Sequence, residues 1–327
     1  MKMQTTSEYP RRFGFLLLND FTLISLSSAV EPLRMANRIC GKECYSWKTI
    51  SVTGDAVAAS NDLQINVDCG IENVNSLHAL DVIIICGGRR IEKNVSKSVS
   101  VWLKSAHQRG VNLGAICTGS YILAEAGLLD GYRCSIHWEN MATLTDQFPN
   151  IAVSRHIFTI DRNRYTSSGG TAPVDMMLHM IESGLGTDVS TGVADQFIYE
   201  RIRRSDDQQR VPLQHVIGHQ SEKLVVAVGL MEANIKEPIT QEDLVSYVGL
   251  SRRQLQRLFQ RFLYCTPSRY YLQIRLRRAR EFLRQTSMSL VEISASTGFV
   301  SSSHFSKSYK EYFGHSPSNE RRQDMPD

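Results

Sequence analysis

Two stretches of the 327-residue chain gather side chains whose types and spacing can do chemistry. The first is residues 251–263. On a helical period Leu255, Leu258, Phe259 and Phe262 share one side, while Arg252, Arg253, Gln256, Arg257 and Gln260 take the other. Guanidinium forks and side-chain amides suit phosphate oxygens and the edges of bases, and Ser251 is placed to cap the helix. The second is Leu113-Gly114-Ala115-Ile116-Cys117-Thr118-Gly119-Ser120, which sets a cysteine at a turn between a strand-like and a helix-like run. A thiol at a helix N-terminus can ionise more readily than in water, and His137 or Glu31 can act as its partner. Cys117 is a nucleophile, part of a ligand pocket or an inert buried thiol, and the residues alone leave the three open. His137 by itself is as readily a structural histidine.

The rhythm of the chain shows what must position these groups. In the first two hundred residues, strand-length apolar runs at 13–18, 47–52, 82–86 and 111–117 are interleaved with helix-like spacing at 23–39, 99–108, 119–127 and 173–182. Such alternation implies an α/β domain, a doubly wound, mostly parallel, flavodoxin-like sheet with helices on both faces. Ligands of such sheets sit beyond the carboxyl ends of the strands, so the turns after Cys86, Cys117 and Ser167 are where a site belongs. Gly87, Gly88, Gly119, Gly169 and Gly170 stand at those turns.

From residue 222 onward everything reads as short amphipathic helices, an all-α domain. It repeats itself: at a shift of fifty Ser251 pairs with Ser301, Leu255 with Phe305, Arg257 with Lys307, Phe259 with Tyr309 and Pro267 with Pro317, and at forty-nine Gly249 pairs with Gly298. Each copy is helix, glycine turn, Ser-capped helix, the helix-turn-helix pattern, at about 241–263 and 290–313. The polar side of the second copy carries Ser302, Ser303, His304, Ser306, Lys307 and Lys310, less cationic than the first. Between the copies Leu272, Leu276, Ala279 and Leu283 mark one buried stripe, with Arg275, Arg277, Arg278, Arg280 and Arg284 off it. Polar residues 205–221 read as a linker between domains at 1–204 and 222–327.

Charge points the same way. The whole chain is +4, but residues 240–313 hold 12 basic and 5 acidic side chains, and 10 of the 12 are arginine, which favours a polyanion partner. A plain bundle with a solvated basic face accounts for the apolar stripes but not for the duplicated turn. No apolar run approaches the ~20 residues of a membrane span, and residues 1–12 lack a secretory pattern, so a cytoplasmic protein without membrane contact is expected. Seven scattered cysteines without a C-x-x-C pair indicate reduced thiols rather than a disulfide framework, and neither a metal site nor a cofactor is expected.

Residues 244–267 and 293–317, above all Gly298-Phe299, Ser303-His304-Phe305-Ser306-Lys307 and Phe313-Gly314-His315-Ser316-Pro317, closely resemble the AraC/XylS family of transcriptional regulators. The resemblance implies major-groove contacts from Arg253, Gln256 and Arg257 in the first unit and Ser302, Ser303, Ser306 and Lys307 in the second, with Ser251, Arg252 and Arg261 completing the interface with promoter DNA. Glu320 departs from it, standing where the family has an aromatic before Arg321.

The Cys117 turn resembles the nucleophile elbow of the class I glutamine amidotransferase-like superfamily, PfpI-type proteases included. It departs in two ways: Gly-x-Cys is Ala115-x-Cys117, and the histidine that follows the cysteine in those proteases is Thr118. The whole arrangement is similar to the GlxA-type branch of AraC regulators, and residues 167–179 resemble members responding to carnitine, betaine or amino acids. That resemblance implies a dimerising first domain that senses a small amine, quaternary ammonium compound or amino acid, through Glu31, Gly88, Cys117, Thr118, His137, Trp138, Gly170 and Thr171, and controls its catabolism. An aromatic face and a carboxylate suit a quaternary amine, and helix N-terminal amides suit its acid group. The expected protein is a non-enzymatic homodimeric transcription factor, an activator engaging RNA polymerase. Two alternatives stand beside it: a cysteine hydrolase with a DNA-binding tail, marked by Cys117-dependent turnover, and an architectural DNA-binding protein with an idle first domain, marked by indifference to metabolites.

Overall fold

A computed structural model of the chain describes residues 10–73, 80–199, 201–209, 222–263 and 265–323. The chain divides into two compact units, residues 1–210 and 211–327.

The first unit is built on a seven-stranded sheet ordered β10-β11-β7-β6-β1-β2-β5. Its strands are β1 (Arg11–Leu17), β2 (Tyr45–Ser51), β5 (Cys69–Gly70), β6 (Val82–Cys86), β7 (Asn112–Ile116), β10 (Phe158–Asp161) and β11 (Arg164–Ser167). Only the β10–β11 pair is antiparallel. Residues of β1 and β6 alternate between two cores: Phe13, Phe15, Val82 and Ile84 face α1 (Leu23–Cys40), α5 (Ala172–Leu185) and α6 (Thr187–Gln196), while Leu16, Ile83 and Ile85 face α2 (Lys97–Gln108), α3 (Ser120–Glu125) and α4 (Met141–Gln147). Burial on both faces is why 82–86 reads as an unbroken apolar run. The doubly wound, mostly parallel sheet is as the sequence implies. Two small pairs, β3 (Val57–Ala58) with β4 (Gln64–Ile65) and β8 (Arg133–Ser135) with β9 (Ala152–Ser154), are additions, too short and polar to leave a period in the sequence.

Six non-glycine residues among those described hold positive φ, Cys117 (+60°) and Ile198 (+52°) among them. Each such placement costs about 1–2 kcal/mol and must be held by its surroundings.

The sequence assigns 205–209 to a linker, yet these residues lie against the first unit. The Ile157 amide donates to Asp207 O (2.9 Å), the Gln209 amide to Arg155 O (2.9 Å), and Gln208 bridges to His156. The polarity that reads as a linker serves hydrogen bonding. Residues 210–221 of that expected linker lie outside the described residues.

The second unit is wholly helical: α7 (Glu222–Ala233), α8 (Gln241–Val248), α9 (Arg252–Leu263), α10 (Pro267–Gln285), α11 (Leu290–Ser296), α12 (Ser302–Phe313) and α13 (Pro317–Gln323). It has two small cores. Tyr271 and Ile274 of α10 join one with α7, α8 and α9, and Leu276, Ala279 and Leu283 join the other with α11 and α12. At 19 residues α10 is about 28 Å long, the spine that the leucine stripe implies.

Two arginines expected off that stripe point inward. Arg280 and Arg284 donate to Glu320, which is 1% exposed, through Nε at 3.1 and 2.6 Å. The Tyr309 hydroxyl donates to the other carboxylate oxygen (2.9 Å), and His315 Nε2 also contacts it. Glu320 thus replaces the family's aromatic with a buried ionic hub that packs the last turn. Burial alone would raise its carboxyl, but His315, Arg280, Arg284 and Tyr309 outweigh that and bring it down to about 2. A carboxyl lower in the folded than in the unfolded chain stabilises above the unfolded value near 4.5, and the contribution is lost as pH falls from there toward 2. Acid unfolding of the full-length chain, followed through the helical signal, is expected to show this loss. Glu320→Gln is expected to flatten it and, at pH 7, to cost about 3 kcal/mol because two arginines stay buried without their anion; an unchanged pH profile would contradict the hub.

Candidate effector site and nucleic-acid interface

Parallel strands deliver β1, β6, β7 and β11 to one end of the sheet, and the turns that follow them interlock there. The Thr22 amide donates to Gly87 O (3.0 Å), the Gly87 amide to Ile116 O (3.2 Å), and Thr118 Oγ1 to Gly88 O (2.7 Å). Cys117 sits in the middle, its Sγ 3.3 Å from Thr22 Oγ1, its carbonyl accepting from the His137 amide at 3.1 Å. Gly169 closes the other side. A methyl there would come within 2.8 Å of Cys117 Cα, and φ +92° already asks for glycine. Gly88, Cys117, Thr118, His137, Gly170 and Thr171 therefore belong to adjoining turns at this end, as the sequence expects.

The electrostatics are not those of a nucleophile. Burial pushes the Cys117 thiol up, and although Thr22 and the Thr118 amide favour the thiolate, Glu139 adds to the rise. Burial lowers His137, with Glu139 opposing, and its Nδ1 lies 3.7 Å from Glu139. The lowered thiol pKa that a helix N-terminus offers is thus overridden by burial. Glu31 is not brought in either: it pairs with Arg34 on α1 at 2.7 Å. The carboxylate acting on this site is Glu139, passed over in the sequence together with Thr22, although a hydroxyl just past a strand end is a legible signal. His137 and Trp138 lie ring against ring, centroids 5.3 Å apart. A groove of about 520 Å³ opens elsewhere, over Val101 and Trp102 of α2, lined also by Glu72, Lys97, Ser98 and Ser105.

In the second unit the interface residues follow from two caps. Ser251 Oγ accepts from the Gln254 amide (3.2 Å), while Gln254 Oε1 accepts from the Ser251 amide (2.9 Å), a reciprocal box. Ser301 Oγ accepts from the His304 amide at 3.2 Å. Gly249 (φ +61°) and Gly298 (φ +72°) end the preceding helices. With Leu255 and Phe259 buried, α9 turns Arg252, Arg253, Gln256, Arg257 and Arg261 to the exposed side. Arg252 pairs with Glu242 and Arg261 lies over Phe262 at 5.3 Å, whereas neither Arg253 nor Arg257 makes an ion pair among the described residues. On α12, Ser303 and Lys307 are exposed and Ser302 and Ser306 half-buried. Val300, in the turn before Ser301, is fully exposed.

Residues 244–323 match the helix-turn-helix domain family and residues 11–183 the DJ-1/PfpI family. The HTH-type transcriptional regulator GbdR of Pseudomonas aeruginosa is 54% identical over 313 residues, 96% of this chain and 84% of that protein. The HTH-type transcriptional regulator CdhR of the same organism is 41% identical over 309 residues, 94% and 91% of the two chains. The crystal structure of an AraC family transcriptional regulator from Pseudomonas putida superposes with a TM-score of 0.52 at 27% identity, over 57% of this chain and 100% of that one.

A raised, buried thiol has a checkable consequence. Iodoacetamide labelling of Cys117, read by mass spectrometry, is expected to be slow at pH 7 and to accelerate only above about pH 9; fast labelling at pH 6–7 would mark an activated nucleophile.

Proposed function

The chain belongs to the AraC-type helix-turn-helix transcriptional regulators that carry a DJ-1/PfpI domain in front, and from that membership we propose what it reads and what it senses. Ser251, Arg252, Arg253, Gln256, Arg257 and Arg261 meet one major groove of a promoter, and Ser302, Ser303, Ser306 and Lys307 the next on the same face of the duplex. The observation that carries this reading is the pair of exposed guanidiniums, Arg253 and Arg257, on a Ser-capped helix, without an ion pair among the described residues. Arg257 bonds a base edge, and the serines of α12 make softer or water-mediated contacts.

The first unit dimerises and binds a small amine, quaternary ammonium compound or amino acid at the strand ends. Gly88, Cys117, Thr118, Gly170 and Thr171 form the floor. His137 and Trp138 offer an aromatic face to the cation, with the carboxylate of Glu139 nearby, and turn amides take the effector's acid group. Glu31, paired with Arg34, is at most an outer contact. Binding shifts the population of a DNA-reading pose in a cytoplasmic activator that recruits RNA polymerase to a catabolic operon.

Two measurements test the reading. A thermal-shift panel of carnitine, betaines and amino acids on the full chain is expected to give a concentration-dependent rise with one class; a flat panel would leave the first unit without its assigned role. Arg257→Ala is expected to cost about 1–3 kcal/mol at one base step, read by competition with single-base operator variants. Equal loss on matched and scrambled duplexes would make Arg257 a phosphate contact only.

A further inference from the structure

Ile198 is held in an awkward place. Its φ of +52° puts a β-branched residue in the left-handed region, and its side chain is 90% exposed. It follows α6, where the chain begins to leave the first unit toward the DNA-binding one. Past it, the departing segment is tied at two points. Arg203 gives its amide (2.6 Å) and Nε (2.9 Å) to Asp175, a fully buried carboxylate in the first turn of α5. Its Nη2 reaches Thr171 Oγ1 and the Tyr199 hydroxyl, both at 2.9 Å, and that hydroxyl donates to Asp175 at 3.0 Å. Further on, Gln209 Nε2 donates to Ile136 O (3.0 Å) and His156 O (3.3 Å).

Both ties end on walls of the Cys117 site. Thr171 follows Gly169 and Gly170, of which Gly169 abuts Cys117, and Ile136 precedes His137, whose amide bonds the Cys117 carbonyl. The anchors of the segment that continues to the second unit therefore adjoin the two turns an occupant would settle against.

We propose that this departing segment is a latch reporting occupancy of the effector site, with the Arg203–Asp175–Thr171 cluster as its catch and Ile198 as its strained pivot. The proposal rests on the sensor reading given above. The left-handed Ile198 closes α6, its amide donating to Asp195 O and the Tyr199 amide to Ala194 O (both 3.0 Å); the closed catch holds Tyr199 and with it this costly closure, and with the catch open Ile198 can leave it. The strain favours the released, transcriptionally active pose, and the catch opposes it. An effector acts by binding the released state more tightly. Arg203 is a positioning residue in this scheme, acting through Asp175 and Thr171.

Opposite signs distinguish a latch from ordinary scaffolding. In a promoter–reporter assay of the full-length protein with glycine betaine as the probe, Arg203→Gln is expected to raise output without probe about tenfold and to flatten the response. Ile198→Gly removes the strain of the closed state, so it is expected to lower output without probe and to demand about tenfold more glycine betaine for half-maximal response. Melting and promoter affinity are measured on the same variants. If both substitutions lower output in step with a lower melting temperature, or neither moves output, the latch is overturned while the sensor reading stands. If glycine betaine and the rest of the amine panel fail to shift wild-type melting, the sensor reading falls and takes the latch with it.

Discussion

Both recognition helices hang on one backbone demand: the chain must stop a helix and turn within a few residues, which calls for a residue at ease in the left-handed region. Gly249 and Gly298 meet it, at φ +61° and +72°. At the second turn the space is closed as well, since a Cβ on Gly298 would lie 2.6 Å from Ile235 O and from Pro238 Cγ. Arg275 of α10 fixes that turn from beneath, donating to Thr297 O (2.8 Å) and Gly298 O (2.6 Å) while its guanidinium covers Phe299 at 4.3 Å. The orientation of α12, and with it the exposure of Ser303 and Lys307, follows from this clamp. The spine helix therefore sets the pose of the second reading head as well as filling the core.

The first unit makes a similar backbone demand with a different residue. Cys117 holds a positive φ at the elbow between β7 and α3, wedged between Thr22 and Gly169. In an enzyme that geometry would serve an ionised thiol. Here burial pushes the thiol toward its neutral form, and the adjoining turns bring backbone amides, Gly169 and the loop carrying the His137–Trp138 ring pair beside it. The elbow's backbone geometry is present without an activated thiol, in a chain whose relatives are transcriptional regulators.

Much of this was legible in the residues. Uninterrupted burial made Val82–Cys86 visible as a central strand, and the fifty-residue repeat exposed both helix-turn-helix units, with α8 and α9 inside the first expected stretch, 241–263, and α11 and α12 inside the second, 290–313. What stayed hidden depends on contacts distant in sequence. Arg280 and Arg284 look like solvent charges until Glu320 is brought beneath them from thirty-six or more residues away. Residues 205–209 look like part of a linker because their hydrogen-bond partners, Ile136, Arg155, His156 and Ile157, lie far upstream. Glu31 was the plausible carboxylate by type, but a neighbour one helical turn away, Arg34, claims it. The basic surplus of the tail was read correctly in sign and too generously in use, since Arg275, Arg280 and Arg284 work inside the unit.

Two helices entering successive major grooves on one face of a duplex leave a distinct mark in hydroxyl-radical footprinting of the full-length protein on its promoter. Paired protections centred about 10–10.5 base pairs apart on one face are expected, repeated for each copy of the chain bound. A single protected patch per copy, or protection spread evenly around the duplex, would contradict that placement.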